Sequence, residues 1–405
     1  MEVNQNNDEK AINEVCDAIM KNLNPSFQNY QNNIFQCITQ NLGRLDKVIN
    51  EQVNIYANTI KNQLINDNDD ELRKKEINIK EFKSPTLINL AKINNTNFLI
   101  NLILIYLSNI DKLTRYFLKP KNEEAILFKS RQNPNGIYLS PSYLKLLDHL
   151  WKGRKKVYEP IEIHEKLKML MNNDYYSTNP GFIINFIVNQ LHKELNLNNN
   201  ITNQPSWDFN MQNGFQIFVN YLLSNNDEIS DEFFSAIRIT KTTSQNKPVF
   251  LFQSTVVFNL YLYNINNQFI SLEQNFKDLF FDMNDKNYYC INNELFNEKV
   301  IITIPKILIL NINRNNNQKQ YLNYSHILND NNLIVNNGQQ PGKYELYCVI
   351  ISKFENNDNI FYAYIKNVID RKWYLYDKEG IKLVKNEKEV IDMENASLLI
   401  YQKQL

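Results

Sequence analysis

Cysteine and histidine carry most nucleophilic and metal chemistry at neutral pH, and this chain of 405 residues holds four of each. Cys16, Cys37, Cys290 and Cys348 are too scattered for a CxxC zinc pair or a disulfide framework, which fits a reducing compartment. His149 and His164 lie in helical patterns with no second ligand four residues on, so exposed or satisfied histidines outweigh metal ligands. Asp377 closes an aromatic strand pattern that begins at Trp373. A carboxylate there is more often a turn residue than an orienting group for a catalytic imidazole.

The 44 basic residues equal the 44 acidic ones, so bulk charge gives no reason to expect nucleic-acid contact or membrane attraction. The first ten residues are polar and hold no signal-peptide core. The longest apolar stretch, Phe98 to Leu107, contains Asn101 and is too short to span a bilayer. A soluble chain of the cytosol or nucleus is expected, without cofactor or metal. Asparagine runs at 198–200 and 315–317 sit between patterned segments and read as loop filler.

Several elements must position any site. Leu42, Leu45, Val48 or Ile49, Val53, Tyr56, Ile60 and Leu64 recur at helical spacing, so residues 1–83 are expected to form a helical extension. Pro25 and Ser26 divide it, and the acidic run from Asn66 to Asp70 separates it from residues 84–405. Leu87 to Leu118 reads as an apolar core helix. Ser140 to Leu170 reads as two helices broken at Lys152 to Arg154 and at Pro160, and Thr178 to Asn196 as one more. Strand patterns follow at Phe233 to Thr240, Val249 to Phe252 and Val256 to Tyr263, with Ile270 to Phe281 returning to helix. The aliphatic run from Lys306 to Ile312 reads as a central strand buried on both faces. Leu346 to Ile351, Ile360 to Ile365, Trp373 to Tyr376 and Ala396 to Gln402 complete the strand set.

Taken in order, these segments resemble the ubiquitin-specific proteases from about Leu87 to Gln402. Leu87 to Leu118 resembles the family's cysteine box, Thr178 to Asn196 its acidic helix, and Ile301 to Arg314 its central strand. Asn359-Ile360-Phe361-Tyr362-Ala363-Tyr364 resembles the histidine strand, and Trp373 to Asp377 the strand of the third catalytic residue. The resemblance implies an α+β, papain-like fold, with a helical thumb at about 84–228 and β fingers and palm at about 229–405.

Several residues that the resemblance calls for are missing. In the family a thiolate at a helix N-terminus attacks, with its pKa lowered by backbone N–H groups and a histidine. Here that position falls on Asn97 or Phe98, depending on the anchor, and no cysteine occurs between Cys37 and Cys290. Asn32 to Ile38 imitates part of the cysteine box and reads as a decoy. The histidine position holds Ile360, which is expected to face Phe98 or its neighbour in a closed apolar groove. Asp377 is left as a vestige of the third catalytic residue. Asn179 and Phe182 stand where acidic residues hold the basic tail of ubiquitin, so tail binding is expected to be weak or absent. His192 matches a family position on the same helix. Of the fingers' two zinc CxxC pairs only Cys290, followed by Asn293, is left, and one thiolate cannot hold a structural zinc.

An inactive member is therefore expected, acting through protein partners in a larger complex. Phe234 to Lys241 and Gln253 to Thr255, with Leu107-Ser108-Asn109 before Tyr116-Phe117-Leu118, resemble the protease-like subunits of the spliceosomal tri-snRNP. That likeness implies a nuclear role in pre-mRNA splicing. Those subunits normally carry an N-terminal zinc finger, which residues 1–83 cannot form with Cys16 and Cys37 alone. The alternatives are a ubiquitin-binding pseudoenzyme, a scaffold of another assembly, or an active hydrolase with an unrecognised nucleophile.

Overall fold

The computed structural model describes residues 88–404 except 92–94, 134–135, 153–156, 196–205, 225–226, 243–247, 263–268, 282–288, 292–293, 297, 315–319, 330–341 and 356–357. The expected helical extension at 1–83, with its Cys37 decoy, lies outside the described residues.

A two-residue strand β1 (Asn89–Leu90) leads into α1 (Phe98–Ser108), in which every residue from Leu99 to Ser108 is buried. A helix with no polar face is stable only inside a core. Buried apolar residues of α2 (Asp111–Leu118), α3 (Pro120–Gln132), α4 (Ser140–Lys152), α5 (Ile161–Met171) and α6 (Pro180–Leu195) share one core with it, α2 and α6 packing on it directly. Pro120 and Pro180 each open a helix, where the missing N–H removes no intrahelical bond. Between α4 and α5, strand β2 (Val157–Tyr158) pairs in parallel with β1. A single 3-10 turn, Asn172–Tyr176, links α5 to α6. Next come α7 (Met211–Ser224) and α8 (Glu228–Phe233), the latter opened by a reciprocal capping box between Asp227 and Ser230.

From here the chain turns to strands. β3 (Ser235–Thr242) and β4 (Pro248–Thr255) precede β5 (Val257–Tyr261), β6 (Phe269–Ser271) and helix α9 (Leu272–Phe281). The expected helix at 270–281 thus opens with a short strand. Next are β7 (Tyr289–Ile291), β8 (Glu294–Phe296), β9 (Glu298–Ile301), β10 (Ile307–Asn313), β11 (Tyr321–Asn323) and β12 (Ile327–Asn329). The last five are β13 (Lys343–Glu355), β14 (Asp358–Lys366), β15 (Trp373–Asp377), β16 (Gly380–Leu383) and β17 (Ala396–Lys403). The main sheet runs β16-β15-β14-β13-β17-β10-β5, with β12 also paired to β13, and a smaller sheet runs β4-β3-β9.

Both faces of the main sheet are covered. Cys348, Ile350, Ala363, Ile365, Leu398 and Ile400 join α1 and its neighbours in one apolar cluster. Their chain neighbours Val349, Ile351, Leu399 and Tyr401 belong to a second cluster behind the sheet. Strands buried on both faces read as unbroken apolar runs, which is the pattern of β10, β13 and β17.

Candidate functional site

The start of α1 is fixed by Asn97, whose Oδ1 accepts from the Leu99 N–H at 3.1 Å. That side chain replaces a partner that the first turn of any helix lacks. The Asn97 amide also donates from Nδ2 to the carbonyls of Tyr175, at 3.0 Å, and Ser177, at 2.9 Å. Phe98 is the first helical residue, half-buried against the α1 core. The structure thus places both candidates for the nucleophile position at the helix N-terminus, one as its cap and one as its first residue.

Behind this cap stands His164, 2% exposed. Its Nε2 lies 2.7 Å from Asn101 Oδ1 and its Nδ1 lies 2.6 Å from the Tyr175 hydroxyl. Asn101 Nδ2 points to the Ala91 carbonyl, so Oδ1 is the group left to accept. His164 therefore donates from Nε2 and accepts at Nδ1 from Tyr175, as a neutral imidazole. Burial first, and the Lys168 charge second, lower its pKa to about 4. The Tyr175 oxygen in turn receives the Asn97 backbone N–H at 3.4 Å. His149 instead donates from Nδ1 to the Lys145 carbonyl at 2.9 Å and stacks on Tyr158. Both histidines are satisfied within the thumb, and among the described residues no cluster of three His, Cys, Asp or Glu could hold a metal ion.

At the start of α6, Asn179 Oδ1 accepts from the Phe182 N–H at 3.1 Å, and Phe182 is 39% exposed. The next residue inward, Gly181, meets β10: a Cβ there would stand 2.3 Å from Asn311 Cγ. Glycine is needed because the helix backbone lies directly on a buried asparagine. His192, near the other end of α6, bonds Asp227 at 2.7 Å and packs edge-on against Phe234.

The palm side corrects one expectation. Antiparallel pairing sets Ala363 opposite both Ile350 and Tyr376, and all three belong to the thumb-side cluster. Side chains alternate along a strand, so Phe361 shares that face and is indeed packed on the cluster together with Phe98. Ile360 falls on the opposite face with Tyr362 and Tyr364, which pack on the second cluster. Ile360 therefore does not meet Phe98; the β14 side chains on the thumb side are Phe361, Ala363 and Ile365. Asp377 sits at the β15–β16 turn. Its Oδ1 accepts from the Glu379 and Gly380 N–H groups at 2.8 and 3.0 Å, and its Oδ2 from Lys382 at 3.1 Å. Gly380 has φ +134, a conformation that favours glycine, and a Cβ there would stand 3.7 Å from Asn89 Nδ2.

Phe361 and the His164 network are the parts that sequence reasoning missed. The apolar alternation Phe361, Ala363, Ile365 carried a signal for Phe361, whereas nothing local in sequence brings His164 to Asn101. Cys348 is fully buried in β13, where burial pushes its thiol pKa well up. Such a thiol is a packing residue rather than a nucleophile. Cys290 lies on β7, paired with β8, and its side chain lies outside the described residues.

Comparison with known proteins agrees with this architecture. Residues 87–401 match the family described as ubiquitin carboxyl-terminal hydrolase. Ubiquitin carboxyl-terminal hydrolase 4 of Rattus norvegicus is 28% identical over 167 residues, 38% of this chain and 17% of that protein. The Mus musculus protein of the same name matches to the same extent. The match thus spans less than a fifth of these relatives' own length.

Among solved structures, the SAGA Ubp8/Sgf11/Sus1/Sgf73 DUB module bound to ubiquitin aldehyde contains a similar chain. It has a TM-score of 0.57 and 15% identity, over 86% of this chain and 76% of that one. A structure described as an essential yeast splicing factor is similar at TM-score 0.51 and 13% identity, over 79% of this chain and 70% of that one. At such identities the likeness is one of fold. With the family match covering most of its length, this chain belongs to the ubiquitin carboxyl-terminal hydrolase family.

Proposed function

We propose that this chain is a catalytically inactive member of its family that serves as a protein-interaction subunit, with the spliceosomal tri-snRNP as its assembly and the nucleus as its compartment. One observation carries the inactivity. No cysteine occurs from residue 38 to 289 and no histidine after His326, so the thumb lacks a thiolate and strands β13 to β17 lack an imidazole. Neither the amide of Asn97 nor the ring of Phe98 can replace a thiolate as nucleophile. Asp377 keeps a family residue type, yet it has no histidine to orient and bonds its own turn.

The splicing assignment is supported by the sequence resemblance and by the fold shared with an essential yeast splicing factor. Tagged protein purified from its source is expected to bring down splicing proteins, and recovery of an unrelated assembly would overturn the assignment. The purified full chain is expected to leave a ubiquitin fusion uncleaved. Hydrolysis abolished by Asp377→Ala would overturn the inactivity.

A second reading is favoured by the likeness to the SAGA DUB module, in which Ubp8 stands with Sgf11, Sus1 and Sgf73 and is bound to ubiquitin aldehyde. On it, the chain is a ubiquitin-binding scaffold of another complex. Titration with ubiquitin separates the two readings. Micromolar binding supports the second, and no binding supports the first, because Asn179 and Phe182 offer no charge to a basic tail.

A further inference from the structure

The two helix starts at which the family carries its chemistry are both closed here by asparagine. Asn97 caps α1 through Leu99, and Asn179 caps α6 through Phe182. Ser177 joins them: its carbonyl accepts from Asn97 Nδ2 at 2.9 Å and its Oγ accepts from the Asn179 N–H at 3.2 Å. The Asn97 side chain has both ends engaged. Its one acceptor holds Leu99, and its donor nitrogen reaches the carbonyls of Tyr175 and Ser177. The backbone carbonyl of Asn97 accepts separately from the Ile100 N–H at 3.1 Å.

We propose that Asn97 is an internal latch that ties the Tyr175–Ser177 segment across the N-terminus of α1, closing that helix start to an incoming peptide carbonyl or carboxylate. This inference rests on the reading of the chain as inactive, since a latched helix start is of no use to a nucleophile. The residue type fits the task. An amide both accepts and donates twice, so it can cap a helix and hold two carbonyls at once. Aspartate or serine could keep the cap but could not hold both carbonyls. The Tyr175–Ser177 carbonyls face Asn97 on one side, and the Tyr175 ring is held from behind by His164. The latch is thus one side chain wide and its removal has a local signature.

Native-state hydrogen exchange on the full chain tests it, with Asn97→Asp, Asn97→Ser and Asn97→Ala compared with the natural protein. In Asn97→Asp and Asn97→Ser the amides of residues 175–177, among them the Ser177 N–H that donates to the Asp174 carbonyl at 3.0 Å, are expected to exchange at least about tenfold faster, because the segment opens more easily once its Tyr175 and Ser177 carbonyls lose the Asn97 Nδ2 donor. Leu99 is expected to keep its protection in these two variants and to lose it in Asn97→Ala. Amides of β13 report that each variant is folded. Unchanged exchange at 175–177 in a folded Asn97→Asp or Asn97→Ser would overturn the latch. Exchange that rises equally across β13 would also overturn it, by showing a global rather than local role. Cleavage of a ubiquitin fusion by the natural protein is a separate readout. It would sink the inactive reading without altering the exchange result.

Discussion

Protonation of His164 should unlock the network behind α1, and its size can be worked out. The imidazole is 2% exposed, accepts at Nδ1 from Tyr175 and donates from Nε2 to Asn101. A second proton would set an N–H against the Tyr175 hydroxyl hydrogen, in a buried site with Lys168 one turn away. Burial and that charge hold the folded pKa at about 4, below the ordinary 6.5. Over this window the unfolded chain binds a proton that the folded chain refuses, so stability is fully present above about pH 6.5 and falls as pH drops. The limiting slope is about 1.4 kcal/mol per pH unit, and the loss reaches about 3 kcal/mol once the folded pKa is passed. Urea unfolding of the natural protein and of His164→Gln at about pH 7 and about pH 4.5 isolates the term, because all other groups titrate in both. The stability difference between them is expected to shrink by about 2 kcal/mol on acidification. A difference that does not change with pH, or an imidazole NMR titration with its midpoint above about pH 6, would refute the assignment.

Three further outcomes are expected. Gly181→Ala forces a methyl group onto the buried Asn311 side chain and should destabilise by about 1–3 kcal/mol in urea unfolding. Glu194 accepts the Leu139 and Ser140 N–H groups at the start of α4, at 2.8 and 2.7 Å, within a buried site. Glu194→Ala should therefore lower stability by about 2–4 kcal/mol, with Glu194→Gln recovering part of the loss. Asp377→Ala removes the acceptor of two turn N–H groups; a loss of about 1 kcal/mol of stability is expected in urea unfolding, and equal stability would show that the turn does not depend on it.

The legible part of the fold is the part whose signal is local. α1, β10, β17 and the middle of β13 are buried, so their apolar runs announce them without knowledge of their neighbours. Asn97 was legible as a position and not as a cap, because the carbonyls it holds lie 78 and 80 residues further on. The face of Ile360 was misjudged for a related reason. A one-residue change of register turns a strand over, and the register of β14 is set by pairing with β13 and β15 rather than by its own sequence. The need for glycine at 181 has no local signal, because its reason, Asn311, stands 130 residues away. His164 likewise finds one of its two partners, Asn101, on a helix 63 residues earlier.

Active sites commonly hold groups that are poorly satisfied in the resting fold, and residues that relieve this tend to stabilise. The positions matched to family chemistry in this chain follow the stabilising side of that trade. Asn97 gives α1 a cap and binds two carbonyls, Asn179 caps α6, and Asp377 serves a turn. A cysteine at 97 would be a weaker acceptor for Leu99 and could not serve both carbonyls of Tyr175 and Ser177. A histidine at 360 would point away from the thumb, because its neighbour Phe361 holds a thumb-side position of β14. On the proposed reading, then, the fold no longer tolerates a simple return of its chemistry. A nucleophile at 97 and a base at 360 would lie on elements whose contacts are now committed to packing and capping.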